Sequence, residues 1–276
     1  MTKTPLWVAT IACLALSCTA LADEWSAYGR DPGGTRYSPL NQITPENVGK
    51  LQIAWTYHTG DVSDGSKGIR ASGFETTPLV MDGRLYLTTP FNRVIALDPV
   101  TGRQLWAYDP KIDKSCPYGD GLINRGLASW RETRSAGHAC ALRLYETTID
   151  ARLIALDASS GELCADFGIR GEVDLRDVAR YVPGWYHMTS PPVVLDGVVV
   201  VGSAIDDNGR VDMPDGVVRG YDARSGKLLW KWEPLERPAG VAESAWKTGA
   251  GNAWSIIIAD PKRHLVYVPT GSPSPD

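Results

Sequence analysis

Apolar residues come in short runs separated by polar turns, and one arrangement of the two recurs. Residues 94–106 read V-I-A-L-D-P-V-T-G-R-Q-L-W, an apolar run ending in Asp, a Gly four residues later, then a second apolar run. Residues 153–165 (L-I-A-L-D-A-S-S-G-E-L-C-A) and 218–230 (V-R-G-Y-D-A-R-S-G-K-L-L-W) repeat it. Val, Ile, Leu and Tyr suit a pleated surface, and Asp with Ser/Thr-Gly supplies a tight reversal, so each copy predicts a hairpin. Asp82-Gly83 and Asp196-Gly197, each between apolar runs, predict two more hairpins feeding the first and third copies. A unit with one small sheet cannot bury both of its faces alone, so it has to stack on copies of itself. Radial stacking of four-stranded sheets is a β-propeller, so the predicted class is all-β, with no helix of any length.

Three complete units are expected. Residues 51–60 (L-Q-I-A-W-T-Y-H-T-G) read as the second half of a leading unit, and residues 253–269 as the first half of a trailing one. Residues 110–140 and 168–190 interrupt the rhythm as long insertions, the first rich in Pro, Gly and Cys and read as a functional loop. A chain that opens on one half-unit and stops within another is expected to be part of a ring, truncated within a blade.

Residues 1–22 predict a secretory signal: Lys3, an apolar run over residues 6–16, and Ala20-Leu21-Ala22 as a small-x-small cleavage site. Cys18 as a lipid attachment fits less well, because Ala15-Leu16-Ser17 precede it. The apolar run is too short to span a bilayer, and nothing after residue 22 is long enough for a membrane helix. The expected location is the periplasm. The formal net charge of −4, with no basic cluster, argues against a nucleic-acid partner. In an oxidising compartment Cys116 and Cys140 would staple the first insertion, leaving Cys164 as a small apolar residue inside a repeat.

Familiar catalytic signatures are missing: His58, His138, His187 and His264 lack metal-ligand spacing, and no Gly-rich loop leads into a helix. Four segments at strand–loop junctions carry chemistry instead. They place Glu75 in G-F-E-T-T-P, Arg125 in N-R-G-L-A-S-W, Asp206 and Asp207 in G-S-A-I-D-D-N, and Trp254 in G-N-A-W. Together they offer a guanidinium for ligand carboxylates, hard oxygens for Ca²⁺ and a flat ring, an inventory suited to a planar, polyanionic, metal-chelating cofactor.

The opening W-S-A-Y-G-R, then R-Y-S-P-L-N-Q-I-T-P-E-N-V-G-K-L-Q-I-A-W-T-Y-H-T-G-D, together with N-R-G-L-A-S-W and G-N-A-W, resembles the pyrroloquinoline quinone (PQQ) dehydrogenases with an eight-bladed propeller. The likeness covers residues 24–276, about the N-terminal half of that ring. It implies oxidation of an alcohol or sugar hydroxyl, with PQQ and Ca²⁺ as cofactors and a quinone or cytochrome as electron acceptor. By the resemblance Trp254 is the floor under the quinone, Arg125 reaches its carboxylate edge and Glu75 borders it. Thr189 and Ser190, in H-M-T-S-P-P, lie near a hydroxyl contact; Asp206 or Asp207 falls beside the calcium; Ser274 falls near a metal-side or cofactor-side position. The family's base is an Asp in a later unit, so no catalytic residue is expected before residue 276 and the chain is expected to be inactive by itself. The adjacent cysteine pair of methanol dehydrogenases is absent, and Phe91 stands where membrane glucose dehydrogenases have His. The overall pattern is closer to the glucose branch. The rival reading is a non-catalytic propeller that scaffolds outer-membrane assembly, which has no need for these groups to converge.

Overall fold

The computed structural model describes residues 24–132, 137–206, 210–242, 245–246 and 251–272. The expected signal segment, Asp207 and Ser274 therefore lie outside the described residues. A 3-10 turn, Val48–Lys50, precedes the strands, and the elements with described bounds are otherwise all β. Strand β1 (Ser72–Thr77) leads into a four-stranded antiparallel sheet, β2 (Leu79–Met81), β3 (Arg84–Thr88), β4 (Val94–Leu97) and β5 (Gln104–Tyr108), paired in that order. Next comes β6 (Leu122–Gly126), parallel to β1, and a second sheet of β7 (Ala128–Arg131), β8 (Leu142–Thr148), β9 (Arg152–Asp157) and β10 (Glu172–Asp174). The short β11 (Tyr186–His187) precedes the third sheet, which contains β12 (Val193–Leu195) and β13 (Val198–Val201). After β14 (Ala204–Ile205), which pairs with β11, the sheet is completed by β15 (Val218–Asp222) and β16 (Leu228–Trp232). A hairpin of β17 (Ile258–Asp260) and β18 (Leu265–Tyr267) opens a fourth unit.

The turns form for the reasons their residues suggest. Asp82 and Gly83 take φ of 46° and 68°, and Asp196 and Gly197 take 51° and 75°, the paired positive angles that suit the twist of a two-residue hairpin. Each repeat Asp caps its own turn. Asp98 Oδ1 accepts from the Val100 and Thr101 N–H groups at 2.9 and 3.0 Å, Asp157 Oδ1 from Ser159 N–H at 2.7 Å, and Asp222 Oδ1 from Ser225 N–H at 2.7 Å. Those hydrogen bonds hold all three carboxyls below their ordinary value, outweighing the opposing effect of burial at Asp157 and Asp222.

Sheets stack face to face. Leu79, Met81, Tyr86 and Ala96 of the first pack on Leu144, Ile154 and Leu156 of the second. Tyr145, Leu153 and Ala155 pack in turn on Val199, Val201 and Tyr221 of the third, and Val193, Val200 and Val218 on Ala259. Tryptophans lock neighbouring units: the Trp106 ring lies on Gly161, where an added Cβ would sit 2.5 Å from it, and its Nε1 donates to Ala158 O at 3.2 Å.

One expectation, the disulfide pairing, needs correction, and the leading segment can be placed. Residues 51–60 pair with no described strand and run extended along the first sheet. Trp55 nonetheless makes the same docking contact on Gly102, with Nε1 donating to Pro99 O at 3.0 Å. The disulfide joins Cys140 to Cys164, Cα atoms 5.8 Å apart, and Cys116 is free. Cys164 faces Cys140 because the strand expected after Asp157 shrinks to a single bridge, Leu156 with Leu163, and β10 takes the edge position instead.

Sheet order makes β2, β7 and β12 edge strands, with β12 beside both β7 and β17, so these are the inner strands around the axis. A segment near the start straps across them. Trp25 exchanges backbone hydrogen bonds with Val80, Ser129 Oγ donates to Ser26 O at 2.7 Å, and Ala259 N–H donates to Pro32 O at 2.7 Å. A cavity of about 110 Å³ remains between the strap and the inner strands.

Candidate functional site

Five of the candidate side chains sit a few residues ahead of an inner strand or of the hairpin that opens the fourth unit. Glu75 precedes β2, Arg125 precedes β7, Thr189 and Ser190 precede β12, and Trp254 precedes β17. Equivalent places in successive units of a radial stack face one end of the axis, so residues far apart in sequence meet. Arg125 Nε lies 3.0 Å from Glu75 Oε2, and its Nη1 donates to Thr189 Oγ1 at 2.6 Å. Its Cζ stands 5.4 Å from the Trp254 ring centroid. Ser190 Oγ donates to Trp254 O at 2.6 Å, fixing the backbone that carries the ring, and Arg125 N–H donates to Thr189 O at 2.9 Å.

The result is a flat ring, a guanidinium, two hydroxyls and a carboxylate within direct reach of one another. Trp254 is 44 % exposed, so its ring is open to a ligand. Two buried polar atoms close by have no partner among the described residues: Ser203 Oγ, and Oδ1 of Asn252, whose Nδ2 donates to Ser203 O at 3.1 Å. Buried polar groups without partners are uncommon, and here they offer a donor and an acceptor toward an added polar molecule. Ring, cation and orphaned oxygens therefore fit a planar, carboxylate-bearing cofactor.

Asp206 follows β14 at the same end, because β12 and β13 are antiparallel, but its contacts are elsewhere. Its N–H donates to Trp185 O at 3.0 Å, and its side chain lies against Gly119. Among the described residues no group of three or more His, Cys, Asp or Glu gathers where it could hold a metal ion.

Sequence reasoning missed a second pair beside the first. His187, expected to be an ordinary core or surface residue, is fully buried, and its Nε2 lies 3.0 Å from Asp120 Oδ2. The His187 hydrogen bond, with the charges of Arg125 and Arg70 in reach, holds the Asp120 carboxyl below its ordinary value. Arg70 also donates to Gly119 O at 2.7 Å, pinning the loop that leads into Arg125. Only the closeness of Asp120 to Arg125 in the insertion, and of His187 to Thr189, signalled this.

Residues 25–276 match the family described as PQQ: Glucose/ethanol/alcohol dehydrogenase, beta-propeller domain. The chain belongs to this family. Within the PQQ propeller family it is 40 % identical over 261 residues to the glycerol dehydrogenase large subunit of Gluconobacter thailandicus, covering 92 % of this chain and 35 % of that protein. It is 36 % identical over 277 residues to quinoprotein glucose dehydrogenase A of Acinetobacter calcoaceticus, covering 92 % of this chain and 33 % of that protein. Among solved structures, the quinohemoprotein alcohol dehydrogenase of Comamonas testosteroni superposes with a TM-score of 0.72 at 29 % identity, over 92 % of this chain and 36 % of that one. The chain spans about a third of the length of the curated relatives it matches.

Proposed function

We propose that this chain supplies part of the PQQ cradle of a periplasmic dehydrogenase that oxidises an alcohol or sugar hydroxyl and passes electrons to a quinone or cytochrome. The convergence of Glu75, Arg125, Thr189, Ser190 and Trp254 at one end of the axis carries this reading. A scaffold propeller would have no use for it. Relatives that are glycerol, glucose and alcohol dehydrogenases support an alcohol or sugar hydroxyl as the substrate class, and within it the Asp206-Asp207 pair and the spaced cysteines favour the glucose type.

PQQ, when bound, supplies a two-electron acceptor. Trp254 would hold it flat and shield one face from water, while Arg125, kept in place by Glu75 and Thr189, would neutralise cofactor carboxylate charge. The Thr189 hydroxyl, accepting from Arg125 Nη1, is oriented by it. Calcium belongs to this reading as an expected companion, with Asp206 and Asp207 as its candidate donors.

Titrating PQQ into the protein, followed by its visible absorbance, is the direct test. Saturable binding that Arg125→Ala weakens supports the reading, and absence of binding with or without added Ca²⁺ overturns it. Dye reduction by the full-length protein with glucose, glycerol and ethanol then orders the substrates.

A further inference from the structure

Behind Arg125 lies a carboxyl that the site does not touch. Glu146, in β8, is completely buried, and burial drives its carboxyl well above the ordinary value of 4.5. Its Oε1 accepts from Asn124 Nδ2 at 3.2 Å, while Oε2 is buried and without a partner among the described residues. An unsatisfied buried oxygen costs stability that a leucine of similar size would not. Groups that cost the fold in this way collect where function needs them.

Asn124 shows the need. Its Nδ2 also reaches Thr147 O at 3.3 Å, and its Oδ1 accepts the Gly126 N–H at 2.9 Å. These bonds grip the chain on both sides of Arg125. Gly126 sits at φ +137°, and a Cβ there would come within 3.0 Å of Thr77 O, so the backbone passes too close to β1 for any side chain. Asn124 can serve Gly126 only in one orientation of its amide, with oxygen toward Gly126 and nitrogen away. Glu146 Oε1 accepts from that nitrogen and so selects the orientation.

We propose that Glu146 is a positioning residue: through Asn124 it sets the Asn124–Gly126 backbone so that the Arg125 guanidinium meets Glu75, Thr189 and the Trp254 ring. The value of that placement for a ligand rests on the cofactor reading; the placement itself does not.

The experiment compares Glu146→Leu, Glu146→Gln and Asn124→Asp in the full chain by thermal melts, PQQ titration and crystal structures. Glu146→Leu is expected to melt no lower than wild type, because the unsatisfied oxygen is gone. It should nevertheless bind PQQ about ten- to a hundredfold more weakly, as loss of a supporting shell commonly does, with Arg125 displaced from Glu75 and Trp254. Glu146→Gln, which keeps the acceptor oxygen, should retain both affinity and Arg125 placement. Asn124→Asp, which keeps the acceptor for Gly126 but loses the donor to Glu146, should behave like Glu146→Leu, and it decides the matter if the leucine variant does not fold. Wild-type Arg125 placement in Glu146→Leu or Asn124→Asp overturns the proposal, as does a loss of affinity that merely tracks a lowered melting temperature. Should wild type fail to bind PQQ, the cofactor reading falls, and the crystal structures alone decide the positioning role.

Discussion

The two ends of each unit obey opposite rules. At the turn closing the third strand, the same residues return: Asp98, Asp157 and Asp222, each with a glycine four residues on, at φ of 71°, 76° and 69°. At the segment ahead of each inner strand the residues differ every time: glutamate, arginine, threonine-serine, tryptophan. The turn solves one local problem three times over, capping a reversal, so one solution recurs. The inner segments converge on one centre with no symmetry of its own, and each unit contributes a different chemical part. In a repeat fold, recurrence marks what holds the units, and divergence at equivalent positions marks what the ring is for.

Exchanging the two roles should give the largest effects. Trp254→Ala is expected to weaken PQQ binding about ten- to a hundredfold, the range for losing one aromatic stacking platform, with little change in the melting temperature. Trp106→Ala should do the reverse, costing about 3 kcal/mol of stability while leaving affinity nearly intact. Calorimetry and cofactor titration on both variants check this, and equal affinities would erase the distinction. Among the glycines, Gly161→Ala meets the Trp106 ring at 2.5 Å as well as an unfavourable φ, whereas Gly83→Ala at φ +68° has nothing within 4 Å. Urea unfolding should show a loss of about 2–3 kcal/mol for the first and about 1 kcal/mol for the second.

Arg125→Lys keeps the charge but gives up the fork that holds Glu75 and Thr189 together, so a roughly tenfold loss of affinity is expected from PQQ titration. The smallest effect concerns acid. Carboxyls held below the ordinary 3.8 stabilise the fold above that pH, and the contribution is lost as pH falls through their lower folded values. An Asp98→Asn and Asp222→Asn double variant should therefore unfold less steeply below pH 3.8 than wild type. A circular-dichroism acid titration that superposes the two curves would show that these caps carry no acid-linked stability.

Much of the molecule could be read in the chain itself. Asp-Gly between apolar runs demands a particular turn, and units with two apolar faces demand neighbours, so hairpins and radial stacking followed from residues alone. Glu75, Arg125 and Trp254 were visible because they broke a repeat at junctions. Residues 51–60 pair with no described strand, yet Trp55 docks on Gly102 as Trp106 docks on Gly161. Disulfide pairing depended on which strand took the sheet edge after Asp157, a tertiary outcome. Glu146 was hidden because β8 is buried on both faces, so no alternation of polar and apolar residues betrays a charge pointed inward. His187 and Asp120, 67 residues apart, meet only once the loop before β6 is folded.

The strap that runs from Trp25 to Pro32 also has a temporal side. Its hydrogen bond to Ala259 joins residues more than two hundred positions apart, although its bonds to Val80 and Ser129 can form much sooner. A chain emerging from a ribosome or a translocation pore would dock this segment on the first two units and leave its far end open until the fourth unit arrives. Units can thus collapse one after another, as local contacts allow, but the clasp closes only with the fourth unit, and closing so long a loop is slow. Until then Val193, Val194 and the rest of the apolar cavity wall beneath the strap stand uncovered, a window in which a holding chaperone would matter more than after the strap has closed.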